Sequence, residues 1–430
     1  MAKINGMPTS IRAGIPKLPE TPVGWKREKL NKYLFEIKRP ISLEPARLYR
    51  LVTVKRSRGG VEERSCLLGR EIKTPSQFLI EAGDFLISKR QIVHGACGIV
   101  PVNLAGSVVS NEYAVIGTKG GIDLIFLQYL SESMYFQQTC FHSSIGVHVE
   151  KMIFNVDRWL NWHFNIPPLP EQKEIVDILS SWNEAIKVVS KLIISSKDQK
   201  KSLMHVLMSG IKRTGGLSTK WKTIKLGDLV IINPTRPSIS NDGKVSFVPM
   251  DAVSEDAKLT YVLETEYGEV SKGFSSFMNN DILIAKITPC FENGKGAVVS
   301  NLSNGIGFGS TEFHVLRPKK GVSARFVYHV TNSHEFRLRG KANMQGSAGQ
   351  KRVPTDFIRR FKFSCPLSYD EQSRIATIID NLDLQYENYK AQYKLLIAQK
   401  KYLLQQLLFG KWRVKMVKPA SVSLCSKVQP

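Results

Sequence analysis

The chain has 430 residues, 42% of them hydrophobic and 23% charged, which is typical of a folded globular protein and excludes a disordered or fibrous class. Its 61 Lys and Arg residues outnumber 37 acidic residues, and the net charge of +24 favours a polyanionic partner, with nucleic acid preferred over a membrane surface. The sequence has no signal-peptide core, no run of about 18 apolar residues and no paired cysteine spacing, so we expect a soluble, cytoplasmic protein without disulfide bonds.

The first predicted domain covers 24–166 and follows an N-terminal arm at 1–23. Short apolar runs separated by Gly, Pro, Asn and Ser predict a mixed α/β head with many loops. Two such runs are GDFLISKRQ from Gly83 and NEYAVIG from Asn111. Because Arg and Lys neutralise phosphates, and Arg, Lys, Asn, Gln and Glu read base edges, these residue types indicate DNA contact. The candidates in this head are Lys55, Arg56, Arg58, Lys89, Arg90, Gln91, Asn111 and Glu112.

A long helix is predicted next, within 167–213. Pro170 suits its first turn and Gly210 supplies a stop. About 38 continuous helical residues would rise roughly 57 Å, which is longer than one small domain needs. The apolar residues that recur every three or four positions along it are Ile175, Ile178, Trp182, Ile186, Val189 and Ile193.

The second predicted domain covers 214–364 and repeats the pattern of the first. NDILIAKIT from Asn280 corresponds to GDFLISKRQ, and TEFHVLR from Thr311 corresponds to NEYAVIG, with Glu312 opposite Glu112. The polar candidates for DNA contact in this head are Lys286, Thr288, Lys295, Ser310, Thr311, Glu312, Gln345, Gln350, Lys351 and Arg352.

A second long helix is predicted within 365–413, before a basic tail at 414–430. EQSRIATIIDNLDLQY from Glu371 repeats EQKEIVDILSSWNEAI from Glu171 at a distance of 200 residues, and Gly410 repeats Gly210. An apolar helical stripe needs a cover, and the duplicate helix, lying antiparallel, is the partner that we prefer. The alternative is that each helix packs only on its own head.

Several motifs together resemble one known family, the specificity subunits of type I restriction-modification systems. The motifs are IPPLPEQ from Ile166, its echo CPLSYDEQ from Cys365, GSTEFHVLRP from Gly309 and GSAGQKRVP from Gly346, in addition to the half-repeat. The resemblance implies an α/β fold class with two duplicated target-recognition domains, which two long antiparallel helices separate with pseudo-two-fold symmetry. It implies that each head reads one half of a bipartite double-stranded DNA site, and that the strand containing Thr311 and Glu312 and the loop before Val353 lie on the DNA-facing side.

The resemblance also implies partners. Methyltransferase subunits, two of them, would dock on the long helices and bring restriction subunits into the complex. Catalysis would belong to those subunits, so this chain would need no cofactor, and S-adenosylmethionine, ATP and Mg²⁺ would bind elsewhere. The expected partner-binding residues are Glu171, Gln172, Lys200, Lys201, Glu371, Gln372, Lys400 and Lys401. The first head departs from the pattern, because SSIGVHVEKMIFN stands where the second has GSAGQKRVPTDFI.

Two alternatives remain open. The chain could be a DNA-acting enzyme, with a metal held near Asp251, Asp256 and Lys258 or by Cys140, His142 and His148, although the sequence has no Gly-x4-Gly-Lys-Ser/Thr loop. INPTRP from Ile232 lacks the second proline and the aromatic residue of an adenine methyltransferase loop. The chain could instead be a coiled-coil scaffold that meets DNA through bulk charge alone.

Overall fold

The computed structural model describes residues 11–211, 221–237, 243–347 and 349–414. The chain divides into two compact units, the first made of 1–188 and 393–430 and the second of 189–392. Each unit therefore takes part of its chain from both predicted long helices. The first ten residues of the predicted arm and nearly all of the basic tail lie outside the described residues. No helix in the described ranges is both long and apolar enough to cross a membrane.

The first head is built from thirteen strands and three short helices. The strands are β1 (Lys26–Lys29), β2 (Leu34–Ile37), β3 (Pro40–Ile41), β4 (Leu48–Val54), β5 (Val61–Leu68), β6 (Gln77–Leu79), β7 (Phe85–Ser88), β8 (Cys97–Ile99), β9 (Val108–Ser110), β10 (Tyr113–Thr118), β11 (Ser144–Ile145), β12 (Ile153–Phe154) and β13 (His163–Ile166). The helices are α1 (Leu124–Leu130), α2 (Met134–His142) and α3 (Val156–Leu160), and the long helix α4 (Leu169–Met208) follows them.

The strands of the first head form two main sheets. One has the order β2-β10-β7-β8 and the other the order β3-β6-β9-β4-β5, with β4 and β9 parallel. The pairs β1–β13 and β11–β12 are separate. Apolar side chains of α1 and α2, including Phe126 and Phe136, pack in one core with Phe85 and Ile87 of β7. Asp123 and Ser133 cap these two helices by accepting backbone N–H bonds in their first turns.

The second head has ten strands and five short helices among its described residues. The strands are β14 (Trp221–Lys225), β15 (Val230–Ile232), β16 (Lys244–Val248), β17 (Leu263–Glu266), β18 (Ser275–Met278), β19 (Ile282–Ala285), β20 (Gly296–Val298), β21 (Ile306–Gly309), β22 (Phe313–Pro318) and β23 (Lys362–Pro366). The helices are α5 (Leu226–Leu229), α6 (Tyr267–Val270), α7 (Ala324–Thr331), α8 (His334–Ala342) and α9 (Thr355–Arg360), and the long helix α10 (Tyr369–Leu408) follows them.

The second head repeats the topology of the first. Its sheet order β15-β22-β19-β20 corresponds to β2-β10-β7-β8, and β18-β21-β16-β17 corresponds to β6-β9-β4-β5, including the parallel pair. The register is also repeated, because Tyr113 pairs with Ser88 in the first head and Phe313 pairs with Ala285 in the second. The predicted duplication of α/β heads is confirmed at the level of strand order.

The long helices begin and end within the predicted ranges. α4 and α10 each have 40 residues, and Gly210 and Gly410 follow them with φ of +75° and +61°, a conformation that glycine adopts without steric cost. The predicted apolar stripe is buried unevenly, however. Ile175 and Val189 are buried, whereas Ile178 and Trp182 are only half-buried.

Within each unit, segments of the two long helices run antiparallel. In the second unit, Leu207 near the end of α4 shares a core with Ile375 near the start of α10, while Lys200 pairs with Asp383. In the first unit, the end of α10 contributes Leu404, Leu407 and Leu408 to the core that contains Ile175 and Leu179 of α4. The helices therefore pack both on each other's ends and on the heads, so the preferred arrangement and its alternative each describe part of the structure.

Candidate nucleic-acid interface

The predicted DNA-contact residues of the first head gather where β7 ends. The backbone N–H of Lys89 donates to the carbonyl of Glu112 at 2.8 Å, which joins the end of β7 to the turn before β10. The side chain of Arg90 donates through Nε to Glu112 Oε1 at 2.6 Å. Arg56 donates through Nε to Gln91 Oε1 at 2.8 Å. We call this group the first polar cluster, and its members are Arg56, Lys89, Arg90, Gln91, Asn111 and Glu112.

The other two predicted residues of the first head, Lys55 and Arg58, differ in their surroundings. Lys55 is exposed and forms an ion pair with Glu62 at 2.7 Å beside the first polar cluster. Arg58 is half-buried, and its Nε donates to the carbonyl of Ser131 at 2.8 Å. This bond holds Arg58 against the residue after α1, and its contact with DNA stays a prediction. Asn111 and Lys89 line a small cavity of about 130 Å³.

The predicted residues of the second head gather at the corresponding place. The backbone N–H of Lys286 donates to the carbonyl of Glu312 at 2.8 Å, repeating the Lys89–Glu112 bond. Arg352 exchanges both backbone hydrogen bonds with Gln345, at 2.8 and 2.9 Å, which closes this loop, and the N–H of Val353 donates to the carbonyl of Lys286, directly after β19. Its neighbour Lys351 accepts a backbone bond from Thr288. We call this group the second polar cluster, and its members are Lys286, Thr288, Ser310, Thr311, Glu312, Gln345, Gln350, Lys351 and Arg352.

Glu312 and Arg352 form the strongest contact of the second polar cluster. Nη2 of Arg352 donates to Oε1 of Glu312 at 2.8 Å, and Nε donates to Oε2 at 3.0 Å, so the pair is bidentate. This bond from Arg352 lowers the pKa of Glu312, and the bond to Glu312 raises the pKa of Arg352. Both groups are therefore charged at neutral pH.

Two predictions for the second head need adjustment. Thr311 and Glu312 lie in the tight turn between β21 and β22, and the prediction that a strand contains them is wrong because β22 begins at Phe313. Lys295 donates to the carbonyl of Met250 at 3.1 Å, so its ammonium group is partly used within the head.

His314 is a residue of this region that the sequence did not single out. It is buried on β22, and its Nε2 lies 2.8 Å from the carbonyl of Val353, next to Arg352. Burial lowers the pKa of His314, so the ring is neutral at pH 7 and donates to that carbonyl. His314 thereby fixes the loop that carries Arg352. The signal in the sequence that could have identified His314 is that the first repeat has Ala114 at the corresponding position.

The repeated Glu-Gln pair at the start of each long helix is buried, not exposed. Gln172 accepts a bond from the N–H of Asp123 at 2.8 Å and donates to the carbonyl of Pro167 at 2.8 Å. Gln372 makes the same two bonds, to Ser323 and Pro366, at 3.0 and 2.9 Å. Gln172 thus attaches the start of α4 to the residue before α1. Gln372 attaches the start of α10 to the residue before α7 in the same way.

The preceding glutamates have an equally internal role. Glu171 accepts a bond from Trp25 Nε1 at 3.0 Å and a bidentate pair from Arg413, while Glu371 accepts a bond from Trp221 Nε1 at 3.1 Å. These side chains are buried and bonded within their own unit, and their contact with a partner stays a prediction. The four residues concerned are Glu171, Gln172, Glu371 and Gln372.

The other predicted partner-binding residues divide into two kinds. Lys201 and Lys401 are exposed on the long helices. Lys200 and Lys400 are half-buried. Lys400 contacts Glu132 of the first head, and Lys200 of α4 pairs with Asp383 of α10. We call the region where a head meets the two long helices the joint of that unit.

The joint of the second unit is ionic. Asp380 of α10 forms an ion pair with Arg325 of α7 and accepts a bond from His329 Nε2 at 2.8 Å. Asp383, one turn later, pairs with Lys200 of α4. Burial opposes ionisation of Asp380, but the bonds from His329 and Arg325 prevail and lower its pKa to about 2. Burial lowers the pKa of His329, so the ring is neutral at pH 7.

The joint of the first unit uses neutral groups at the matching positions. Tyr129 of α1 stands where His329 stands, and its hydroxyl lies 3.0 Å from Ser180 Oγ and accepts a bond from Asn183 at 2.9 Å. Burial is the main cause that raises the pKa of Tyr129. Lys400 of α10 lies 3.4 Å from Glu132 and 5.7 Å from the Tyr129 ring centre.

The residues considered for an enzyme do not converge on a catalytic site. Asp251 accepts a bond from the Tyr261 hydroxyl at 2.7 Å, while Asp256 and Lys258 form separate ion pairs with residues of α10. Cys140 is buried, and burial raises the pKa of its thiol. In the described ranges, the three potential metal ligands that do meet are His329, Asp380 and Asp383, whose carboxylates already face Arg325 and Lys200.

Comparison with protein families gives matches in both halves of the chain. A model described as "Type I restriction modification DNA specificity domain" matches residues 55–195 and 218–396. Two relatives from Escherichia coli are the specificity subunits of the type I restriction enzymes EcoEI and EcoAI, which are 37% and 40% identical over 164 and 157 residues. These matches cover 38% and 36% of this chain and span only 27% and 26% of the relatives' own length.

A longer match is to the MjaVIII specificity subunit of Methanocaldococcus jannaschii, 24% identical over 361 residues, covering 78% of this chain and 77% of the relative. Among solved structures, the HsdS subunit from Thermoanaerobacter tengcongensis aligns with a TM-score of 0.55 at 17% identity, covering 92% of this chain and 99% of that one. A chain from a study of complex assembly and conformational transition of the type I R-M system aligns with a TM-score of 0.56 at 17% identity, covering 92% and 100%. These structural matches support the fold.

Proposed function

The chain belongs to the type I restriction-modification DNA specificity family, and from this premise we propose that it is the non-catalytic subunit that reads a bipartite DNA site. Each unit would read one half-site. The observation that carries the proposal is that both halves match the family and each has its polar cluster at the same end of the same pair of strands. Two copies of one scaffold with different polar side chains suit two half-sites of different sequence.

The charge of the chain supports DNA as the ligand. A net charge of +24 favours phosphate contact, and the two polar clusters add Arg, Gln, Asn and Glu, the side chains that distinguish base edges in the major groove. Lysines on phosphates would give affinity for any sequence, and the clusters would give preference for one. A scaffold that binds DNA by bulk charge alone would not need the Arg, Gln, Asn and Glu side chains of the polar clusters.

The chain would act with partners in the cytoplasm. We propose that methyltransferase subunits, two per chain, bind the exposed side of the long helices, where Lys201 and Lys401 lie, and that restriction subunits join through them. S-adenosylmethionine, ATP and Mg²⁺ would bind to those subunits. The residues considered for an enzyme have other partners, since Asp251 accepts a bond from Tyr261, and Asp256 and Lys258 form separate ion pairs with α10.

The proposal is tested by sequencing modified adenines in cells that produce this chain together with its methyltransferase subunit. We expect one motif made of two short half-sites around an unspecified spacer. Variants in the first polar cluster should alter one half-site only, and variants in the second polar cluster should alter the other. A continuous motif, or modification that is unchanged without this chain, would contradict the proposal.

A second measurement addresses the enzyme alternative. The purified chain is incubated alone with DNA, Mg²⁺ and S-adenosylmethionine, and cleavage and methyl transfer are followed. We expect neither reaction until the methyltransferase subunit is added, after which methyl transfer should appear. Activity of the chain alone would favour the enzyme alternative.

A further inference from the structure

The second polar cluster contains one arginine whose position is fixed on two sides. The backbone of Arg352 is held by the paired bonds with Gln345, and the N–H of the next residue, Val353, donates to the carbonyl of Lys286 at 2.8 Å. The Glu312 carboxylate then binds the edge of the guanidinium formed by Nε and Nη2. The side chain of Arg352 nevertheless remains 46% exposed. An arginine held in this way loses little rotational freedom when it binds a ligand.

The remaining donors of Arg352 define what it can bind. A guanidinium has five N–H groups, and the carboxylate uses one on Nε and one on Nη2. The other N–H of Nη2 and those of Nη1 point away from the carboxylate edge, with only a long 3.4 Å contact from Nη1 to the Gln350 carbonyl. Two adjacent, nearly parallel donors match the O6 and N7 acceptors of guanine in the major groove.

The first polar cluster repeats the arrangement with an arginine from another segment. Glu112 occupies the position of Glu312, but its partner is Arg90, which follows β7, whereas Arg352 precedes α9. The contact from Arg90 to Glu112 is through Nε, at 2.6 Å. Its side chain is 49% exposed. The carboxylate is therefore the shared element, and each head supplies its own arginine.

We propose that Arg352, held by Glu312, reads the O6 and N7 atoms of one guanine in the half-site of the second unit, and that Arg90 with Glu112 does the same in the first. This inference rests on the proposed function. It adds the ligand, a guanine base, and the residues that bind it. Lys286 and Lys351 beside Arg352 carry positive charge to the neighbouring phosphates.

The test uses the complex of this chain with its methyltransferase subunit and duplexes that contain its methylated motif. Each guanine of the motif is replaced in turn by 7-deazaguanine, which lacks the N7 acceptor but still pairs with cytosine. Affinity is measured at one fixed salt concentration. We expect wild type to lose roughly 10-fold in affinity at one guanine of the second half-site.

The variants Arg352→Met and Arg352→Lys identify the residue responsible. Arg352→Met should bind the unmodified site roughly 10-fold more weakly, and 7-deazaguanine at that position should then cause no further loss. Arg352→Lys keeps the positive charge but not the two parallel N–H donors. It should therefore lose most of the difference in affinity between guanine and 7-deazaguanine, while the salt dependence of binding remains. Arg360→Met is the matched control, since it breaks another arginine–carboxylate pair in the same head, with Asp356, and should behave as wild type.

The outcomes separate this inference from the proposed function. A complex without any sequence preference would overturn the proposed function itself. A complex that prefers its motif but tolerates 7-deazaguanine at every position would overturn only the guanine reading. Equal losses from 7-deazaguanine in wild type and Arg352→Met would also overturn it, because Arg352 would then not bind N7. The measurement on wild type decides the question even if a variant fails to fold.

Discussion

The two joints occupy the same place in their units but use different chemistry. In the second unit, Asp380 and Asp383 face Arg325 and His329 of α7 and Lys200 of α4. In the first unit, the matching positions hold Ser180, Asn183, Ile125, Tyr129 and Lys400. Only the lysine is shared. At three positions a neutral residue of the first unit, Ser180, Asn183 or Ile125, stands opposite a charged one of the second, Asp380, Asp383 or Arg325, and Tyr129 stands opposite His329.

This difference shows what the duplication has kept and what it has not. The scaffold keeps the positions, because the helix and strand register is the same in both units, whereas the groups that meet across each joint have changed together. In the second unit a charged helix face meets a charged head, and its half-buried carboxylates Asp380 and Asp383 each have a cationic partner. The joints therefore make each head specific for its own helical segments, and a head moved to the other unit would face unmatched groups.

The largest expected effect is from Asp380→Asn in the second joint. The substitution keeps the shape but leaves Arg325 without its carboxylate, so we expect a loss of about 2 kcal/mol in local stability. Hydrogen exchange of α7 and of the first turns of α10 measures this loss. The matched change in the first joint, Ser180→Ala, removes one neutral hydrogen bond and should cost about 1 kcal/mol in α1 and α4. Equal losses would remove the distinction between the joints.

Acid should weaken the second unit more than the first. Burial lowers the pKa of His329, so the unfolded chain binds that proton more readily and stability falls as pH drops below about 6.5. The pKa of Asp380 is about 2 in the folded unit against 3.8 ordinarily, so its contribution is present above pH 4 and is lost as pH falls towards 2. We expect a loss of about 1 kcal/mol in α7 between pH 7 and pH 5.

Hydrogen exchange as a function of pH checks this sign in both units of the full chain. His329→Gln should remove the dependence between pH 7 and pH 5, since glutamine can donate to Asp380 without titrating. Loss of protection in α1 equal to that in α7 would show that the acid response does not arise at the second joint.

The smallest expected effect distinguishes the two shared lysines. Lys200 pairs directly with Asp383, so Lys200→Met should cost about 1 kcal/mol in the second unit. Lys400 lies farther from its carboxylate and also rests on the Tyr129 ring, so Lys400→Met should cost about 0.5 kcal/mol in the first. Hydrogen exchange at the two joints measures both losses. A larger loss from Lys400→Met than from Lys200→Met would contradict the assignment of the stronger ion pair to Lys200.

The sequence was sufficient for features that depend on local periodicity. GDFLISKRQ and NDILIAKIT became β7 and β19, and each basic residue stands directly after its strand, at Lys89 and Lys286. The long helices followed from the apolar spacing and from Gly210 and Gly410. These features need only the chain within a few residues, because hydrogen bonding and steric preference act at that distance.

The features that the sequence did not reveal depend on distant partners. Glu171 and Gln172 look like exposed polar residues at a helix start, and only Trp25, Asp123 and Arg413 explain why they are buried. In the same way, Glu112 and Glu312 are aligned in the repeat, but their arginines come from different loops. An alignment of the two halves predicts that both have a glutamate at this position. It cannot predict which arginine binds that glutamate, because the arginines do not align.

The composition of the first unit has a consequence for its synthesis on the ribosome. Leu404, Leu407 and Leu408 complete the core around Ile175 and Leu179, yet they are made more than 200 residues later. At about 5–20 residues per second, that interval lasts on the order of 10–40 s. The second unit uses one continuous segment, 189–392, and is complete before those leucines are made. The core of the amino-terminal head, although this head is translated first, is therefore completed last. Until then, the apolar side chains that Leu404, Leu407 and Leu408 will cover remain exposed on the nascent chain.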